Sequence, residues 1–262
     1  MRVAQLGTGD PELVIVGSVH GDEPCGKRAI EWLLEEQPPV SRPVRLIVAN
    51  EEALERKVRY LDADLNRSFN YVAANTAHEA GLADRLRELI RGHTVLSIHS
   101  TRSTRDPFAI VSGVNDGVAS IVSRLSVEAV VDAGTPKDGR IFDTTSTVVE
   151  VEAGYQGSTE ATDNAIQLTE EFLIATGALH GDIEPVEQPL FELGNAIQKP
   201  EATSYEVFAT NFSQVEAGEA FAAADDEPVR AEQSFWPVLL SADGYRNIFG
   251  YRGTKHGSVA SR

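Results

Sequence analysis

A histidine and a glutamate three positions apart, His20 and Glu23, follow the apolar run Leu13 to Val19 in the segment His20-Gly21-Asp22-Glu23. A second apolar run begins at about Thr94, continues Val95-Leu96-Ser97-Ile98, and ends in His99. Zinc accepts imidazole nitrogen and carboxylate oxygen, and a catalytic zinc keeps three protein ligands with one position open for water. His-x-x-Glu alone is most often a surface loop with a capping acid. A lone strand histidine is most often a core residue bonded to backbone. Two strands that each end this way make coincidence the weaker reading. His20, Glu23 and His99 are therefore expected to hold one zinc ion per chain, in a two-histidine, one-carboxylate set suited to hydrolysis. The other histidines, His78, His93, His180 and His256, lack that setting and read as surface residues. Glu150 and Glu152 are two apart around the end of the β-branched stretch Thr144 to Val151, so on a regular strand they face the same side. Spacing alone does not choose between them.

The elements that must position these residues alternate. Leu13 to Val19 reads as a buried strand, and a helical pattern runs from Pro24 to about Glu36, where Pro38 and Pro39 end it. Val44 to Ala49 is the next strand. Thr76 to Arg91 carries leucines at 82, 86 and 89, which is helical spacing, and Gly92 stops it. Strands follow from Thr94 to His99, Phe108 to Val111, Val127 to Val131 and Thr144 to Val151, then a helix from about Thr159 to Thr176. Strands alternating with helices predict an α/β domain with a largely parallel sheet covered on both faces. Ligand sites in such sheets gather at the carboxyl ends of strands. The texture changes near Gly181. Beyond Pro185 and Pro189 only short segments such as Tyr205 to Ala209 and Trp236 to Leu240 remain. Residues 1–182 are read as the catalytic α/β domain and 183–262 as a small C-terminal β-rich domain.

Composition narrows the partners. The formal net charge of -17 argues against nucleic acid and anionic membrane surfaces, which reward positive charge. Lysine occurs only at 27, 57, 137, 199 and 255, a pattern suited to solubility in high salt and read as halophilic. No stretch approaches the roughly 18 apolar residues of a membrane span. The start, MRVAQLGTGDPELVIVG, does not read as a signal peptide, and Cys25 is the only cysteine. A cytoplasmic location is expected. The glycosylation patterns at Asn66 and Asn211 carry no weight without secretion. A homo-oligomer is left open.

Four segments in order, His20-Gly21-Asp22-Glu23, Arg59-Tyr60-Leu61-Asp62-Ala63-Asp64-Leu65-Asn66-Arg67, Ile98-His99-Ser100-Thr101 and Val151-Glu152-Ala153-Gly154, resemble the succinylglutamate desuccinylase and aspartoacylase family of the zinc carboxypeptidase-like group. The Arg59 to Arg67 block is the most specific. The resemblance implies a zinc carboxypeptidase-like α/β/α domain with a mixed, largely parallel sheet. It implies a zinc-dependent amidohydrolase of N-acyl amino acids such as N-acetylaspartate or N-succinylglutamate, with a small anionic substrate. It assigns zinc to His20, Glu23 and His99, and the general base to Glu152 rather than Glu150. Arg59 resembles the arginine beside the developing oxyanion. Asn66 and Arg67 resemble the pair on the substrate carboxylate. Arg140 and Tyr245 resemble further substrate contacts. Asp64 is a candidate orienter of an arginine.

A chain at -17 also needs local cations to hold an anion, and Arg59, Arg67, Arg102, Arg105 and Arg140 are candidates. The run after His99, with Arg102 and Arg105, departs from the family pattern and leaves the acyl group open. Two other readings are a metallocarboxypeptidase acting on peptides and a non-catalytic zinc- or solute-binding module. Binding alone requires neither Glu152 nor Arg59.

Overall fold

A period-two alternation inside the buried strands builds the layers. In a computed structural model describing residues 1–69, 77–134, 140–145 and 147–260, the chain order is β1 (Arg2–Leu6), β2 (Leu13–Gly17), α1 (Cys25–Glu36), β3 (Val44–Val48), α2 (Glu51–Arg56), α3 (His78–Ile90), β4 (Thr94–Thr101), β5 (Phe108–Val111), α4 (Asp116–Val122), β6 (Val130–Asp132), β7 (Thr147–Tyr155) and α5 (Thr159–Ala175). Then come β8 (Gln188–Gln198), β9 (Tyr205–Val207), β10 (Ala220–Ala224), β11 (Glu227–Arg230), β12 (Trp236–Val238) and β13 (Ile248–Val259). Short helical turns occupy Leu65–Arg67 and Ile141–Asp143. Thr76, where the sequence places a helix start, and Ser146, within the strand expected from Thr144, lie outside the described residues.

Leu13, Ile15, Leu96, Ile98, Val149 and Val151 pack with α1, α4 and α5 through Ile30, Leu33, Ile121, Leu168 and Phe172. The intervening residues Val14, Val16, Val95 and Val148 pack with Ala83, Leu86 and Ile90 of α3. Residues alternate across a strand, so each central strand feeds both layers. Among the described residues ten strands form one sheet in the order β1-β3-β2-β4-β7-β5-β6-β8-β13-β12. Its centre, β3-β2-β4-β7, is parallel, whereas β1, β5, β12 and β13 enter antiparallel pairs. The fold is the mixed, largely parallel α/β arrangement expected from the sequence. Strand β8 pairs parallel with β6, so the sheet continues into the C-terminal residues. A separate sheet, β11-β10-β9, covers its own cluster around Phe221, Phe235 and Phe249. Among the described residues no helix is long and apolar enough to cross a membrane.

One contact fixes the entrance to the site. A Cβ on Gly17 would fall 2.5 Å from the carbonyl carbon of Gly26, and one on Gly26 would fall 2.7 Å from Cα of Gly17. Helix α1 therefore rides directly on the end of β2. The backbone turns at Ser18, in the left-handed region at φ 52°. It emerges at His20.

Candidate metal centre and active site

Strands β4 and β7 lie in register, with Ser97 opposite Glu150 and His99 opposite Glu152. All four share the strand parity of Val95 and Val148, so they are on the α3 side of the sheet. Strand β7 runs on to Tyr155, beyond the β-branched residues, and Glu152 therefore sits inside the strand rather than just after it.

Glu23 bridges the two histidines. Its Oε1 lies 2.8 Å from His20 Nδ1 and its Oε2 lies 3.0 Å from His99 Nδ1. All three side chains are buried, at 4%, 3% and 3% relative exposure for His20, Glu23 and His99. Donor atoms from the three lie within 4.8 Å of one another. Ligands about 2.0–2.1 Å from a tetrahedral zinc stand roughly 3.3 Å apart, so this donor set fits such an ion. The outward nitrogens are also held. His20 Nε2 is 3.1 Å from Asp64 Oδ1, and His99 Nε2 is 3.0 Å from Ser97 Oγ and 3.6 Å from Glu150 Oε1. Partners on the second ring nitrogen are what orient metal-binding imidazoles.

The carboxylates separate into two kinds. Burial alone would raise Glu23, but the charge and hydrogen bond of His20 and then those of His99 hold it well below the usual range. Asp64, also desolvated, is lowered by its hydrogen bond to His20 and by Arg59. Glu152 goes the other way. Burial, and next the charge of Glu23, push it up to about 7. Its Oε2 is buried without a protein hydrogen-bond partner. Glu150 is engaged instead, its Oε1 accepting from Asn66 Nδ2 at 2.8 Å. Burial would raise Glu150 as well, but the hydrogen bond and charge of His99, then Arg140 and Asn66, lower it, so two acids on one strand face are driven apart in proton affinity.

The Arg59–Arg67 segment closes one wall. Arg59 donates from Nη2 to Asp64 Oδ2 at 3.1 Å and from Nη1 to Glu23 Oε1 at 3.3 Å. Asp64 thus orients Arg59, and it also accepts from the backbone N–H of Asn66 at 2.9 Å. The Asn66 amide gives one Nδ2 hydrogen to Glu150 and accepts the Ile141 N–H on Oδ1 at 3.2 Å. That bridge fixes the turn that follows Arg140. Tyr245 lies edge-on to Tyr251, ring centroids 6.0 Å apart, and burial raises its hydroxyl. Lys199 Nζ donates to the carbonyls of Ala242 and Tyr245 at 2.6 and 2.7 Å and stands over the Tyr205 ring at 4.6 Å.

A cavity of about 290 Å³ brings together nine of the residues that the sequence singles out: His20, Glu23, Arg59, Asn66, Arg67, His99, Arg140, Glu152 and Tyr245. Arg102 also lines it, its Nε donating to Gln156 Oε1 at 2.7 Å, and Gln156 Nε2 in turn donates to the Asp22 carbonyl at 3.0 Å. Arg105 does not join them. Its side chain is 75% exposed beside Asp106. Gln156, Ser241 and Asp243 line the cavity without a signal in the sequence. They are polar residues in turn-rich stretches with no periodicity to flag them.

The sequence profile of the succinylglutamate desuccinylase/aspartoacylase catalytic domain matches residues 9–180. The N-acyl-aromatic-L-amino acid amidohydrolase (carboxylate-forming) of Xenopus tropicalis is 31% identical over 106 residues, 35% of this chain and 34% of that protein. The aspartoacylase of Xenopus tropicalis is 28% identical over 119 residues, 44% of this chain and 37% of that protein. The chain thus spans about a third of the length of these two relatives. In fold it is similar to the product-bound ectoine utilization protein EutE (DoeB) from Ruegeria pomeroyi, at a TM-score of 0.76 and 20% identity over 98% of this chain and 88% of that one. With well over half of its length matched by the catalytic-domain profile, the chain belongs to the succinylglutamate desuccinylase/aspartoacylase family.

Proposed function

We propose that this family member is a zinc-dependent deacylase that hydrolyses the amide of a small, acidic N-acyl amino acid. The observation that carries the reading is the pairing, in one cavity, of a buried His20–Glu23–His99 donor set with a buried Glu152 whose Oε2 has no protein hydrogen-bond partner. Zinc, when bound by those three side chains, supplies Lewis acidity and brings the pKa of water to about 7. Glu152 accepts the proton of the attacking water and passes it to the leaving amine, a task that favours a pKa near the working pH. Arg59, fixed by Asp64 and Glu23, presents a guanidinium where the carbonyl oxygen gains negative charge. Arg67 binds the substrate carboxylate, with Arg140 beside it in the cavity. Asn66 lines the same cavity and joins Arg67 on the carboxylate through its second Nδ2 hydrogen, the first being given to Glu150. Tyr245 lines the same cavity.

The cavity, about 290 Å³, is at the small end of ligand pockets and favours a compact substrate over a peptide in an open groove. A cytoplasmic, high-salt setting belongs to the same proposal and rests on the single cysteine and the acidic, lysine-poor composition. The test is a hydrolysis screen of the zinc-loaded protein, in low and high salt, against acetyl-aspartate, succinyl-glutamate and related acyl amino acids. Hydrolysis of one of these, lost on chelation, is expected. Cleavage of peptides but of no acyl amino acid would transfer the reading to a carboxypeptidase.

A further inference from the structure

A fully buried acid lies outside the cavity and touches none of its side chains. Glu79, in the first turn of α3, has 0% relative exposure. Its Oε1 accepts from the Leu61 N–H at 2.7 Å and from Asn50 Nδ2 at 3.1 Å. Its Oε2 accepts from the N–H groups of Asp62 and Ala63, both at 3.1 Å. Three consecutive amides of the Arg59–Arg67 segment therefore converge on one carboxylate. Burial would raise that carboxyl, yet the Leu61 amide, Asn50 and the other two amides hold it below its ordinary value. It is charged at neutral pH and strongly bonded.

Asn50 links this node to the metal side. It is itself 0% exposed, its N–H donates to the Ser18 carbonyl at 2.9 Å, and its Oδ1 caps α2 through the Ala53 N–H at 3.3 Å. The Arg59 carbonyl meanwhile accepts the Gly21 N–H at 3.0 Å. The turn that carries His20 and the segment that carries Arg59, Asp64 and Arg67 are thus tied to one anion beneath both. The contact is reciprocal, because Asp62 Oδ2 accepts the His78 N–H at 2.9 Å and caps α3.

We propose that Glu79 is a positioning residue for substrate recognition, holding the 61–67 segment in the shape that aims Arg67 into the cavity. The assignment rests on the deacylase reading above. A carboxylate is the one side chain of this length with lone pairs for four donors. Glutamine would turn an NH2 group toward N–H donors and break half of the array.

The experiment compares Glu79→Gln and Asp62→Ala with the wild type, all zinc-loaded. Three readouts are taken: metal content, steady-state kinetics with an acidic N-acyl amino acid, and hydrogen exchange of the peptide spanning 59–69. Glu79→Gln should keep its zinc, lose exchange protection in 59–69, and raise KM on the order of 10- to 100-fold with a smaller change in kcat, as expected for misplaced binding groups. Asp62→Ala removes the α3 cap but none of the Glu79 contacts. It should lower the thermal midpoint with KM within about twofold of wild type. An unchanged KM and unchanged 59–69 protection in Glu79→Gln overturn the proposal, as does an equal KM rise in Asp62→Ala. A wild type that hydrolyses no acyl amino acid refutes the deacylase reading alone. The exchange of 59–69 then decides whether Glu79 holds the segment.

Discussion

Replacing Glu152 by glutamine keeps the side-chain shape and removes the charge, and the structure sets the sign of two separate effects. In the metal-free protein the Glu152 carboxyl, at about 7 against an ordinary 4.5, keeps its proton in the folded chain at pH values where the unfolded chain has released it. Stability on this account is fully present below pH 4.5, falls as pH rises toward 7, and is level above it. The gap, 7 minus 4.5 or roughly 2.5 pH units at about 1.36 kcal/mol each, amounts to about 3 kcal/mol. Glutamine abolishes that slope. Urea unfolding in EDTA should therefore show Glu152→Gln gaining on wild type by about 3 kcal/mol between roughly pH 4 and pH 8. The zinc-loaded variant should meanwhile retain its metal and lose at least about 10²-fold in turnover, the low end for a positioned general base. Glu150→Gln should lose less. A stability difference that does not change with pH would refute the origin of the raised carboxyl. A dead Glu150 variant beside an active Glu152 variant would refute the choice of base.

Wild-type protein should carry about one zinc per chain, and His99→Ala should lose most of it by elemental analysis. A fully loaded variant would mean that the ion sits elsewhere. Arg67→Lys should cost about 1.5–3 kcal/mol in kcat/KM for an acidic substrate, because lysine keeps the charge and loses the planar fork. Crossing that variant with a substrate whose carboxylate is an amide should erase most of the loss, whereas additive losses would remove Arg67 from the carboxylate. Gly26→Ala drives a methyl to within 2.7 Å of the Gly17 backbone and should destabilise by about 1–3 kcal/mol in thermal or urea unfolding.

The candidate donor set was legible because His20 and His99 each follow an apolar run near the carboxyl end of a parallel strand, with Glu23 three residues beyond His20. The shared face of Glu150 and Glu152 followed from strand parity, but what separates them did not. It comes from the burial of Glu152 and from His99, Arg140 and Asn66 around Glu150, the last of them 84 residues distant in sequence. Glu79 was invisible for the same reason. An acid in the first turn of an amphipathic helix reads as a solvated charge until the facing loop is seen to aim three amides at it. Strand β1 was missed because its mostly exposed residues alternate weakly at the sheet edge. Strand β7 outran its β-branched stretch because pairing with β4, which reaches Tyr155 opposite Thr101, extends it where propensity does not.

Lys199 gives the far wall of the cavity a different relation to its solvent. Exposed pairs such as Arg56–Glu52 are loosened by dissolved ions, whose screening reaches across about 10 Å at 0.1 M and tightens further as salt rises. The ammonium of Lys199 is spent on two main-chain carbonyls and on aromatic faces, with Tyr205 beneath it and Phe249 at 5.6 Å. Besides the charge of Asp243, its partners are dipoles and quadrupoles at contact range, which mobile ions displace far less readily than they do a distant opposite charge. The Tyr245 wall should therefore keep its place across a wide span of brine concentration, while the attraction between the arginines and a free anionic substrate weakens. Ionic strength would then act on capture of the substrate and leave the shape of the chamber alone.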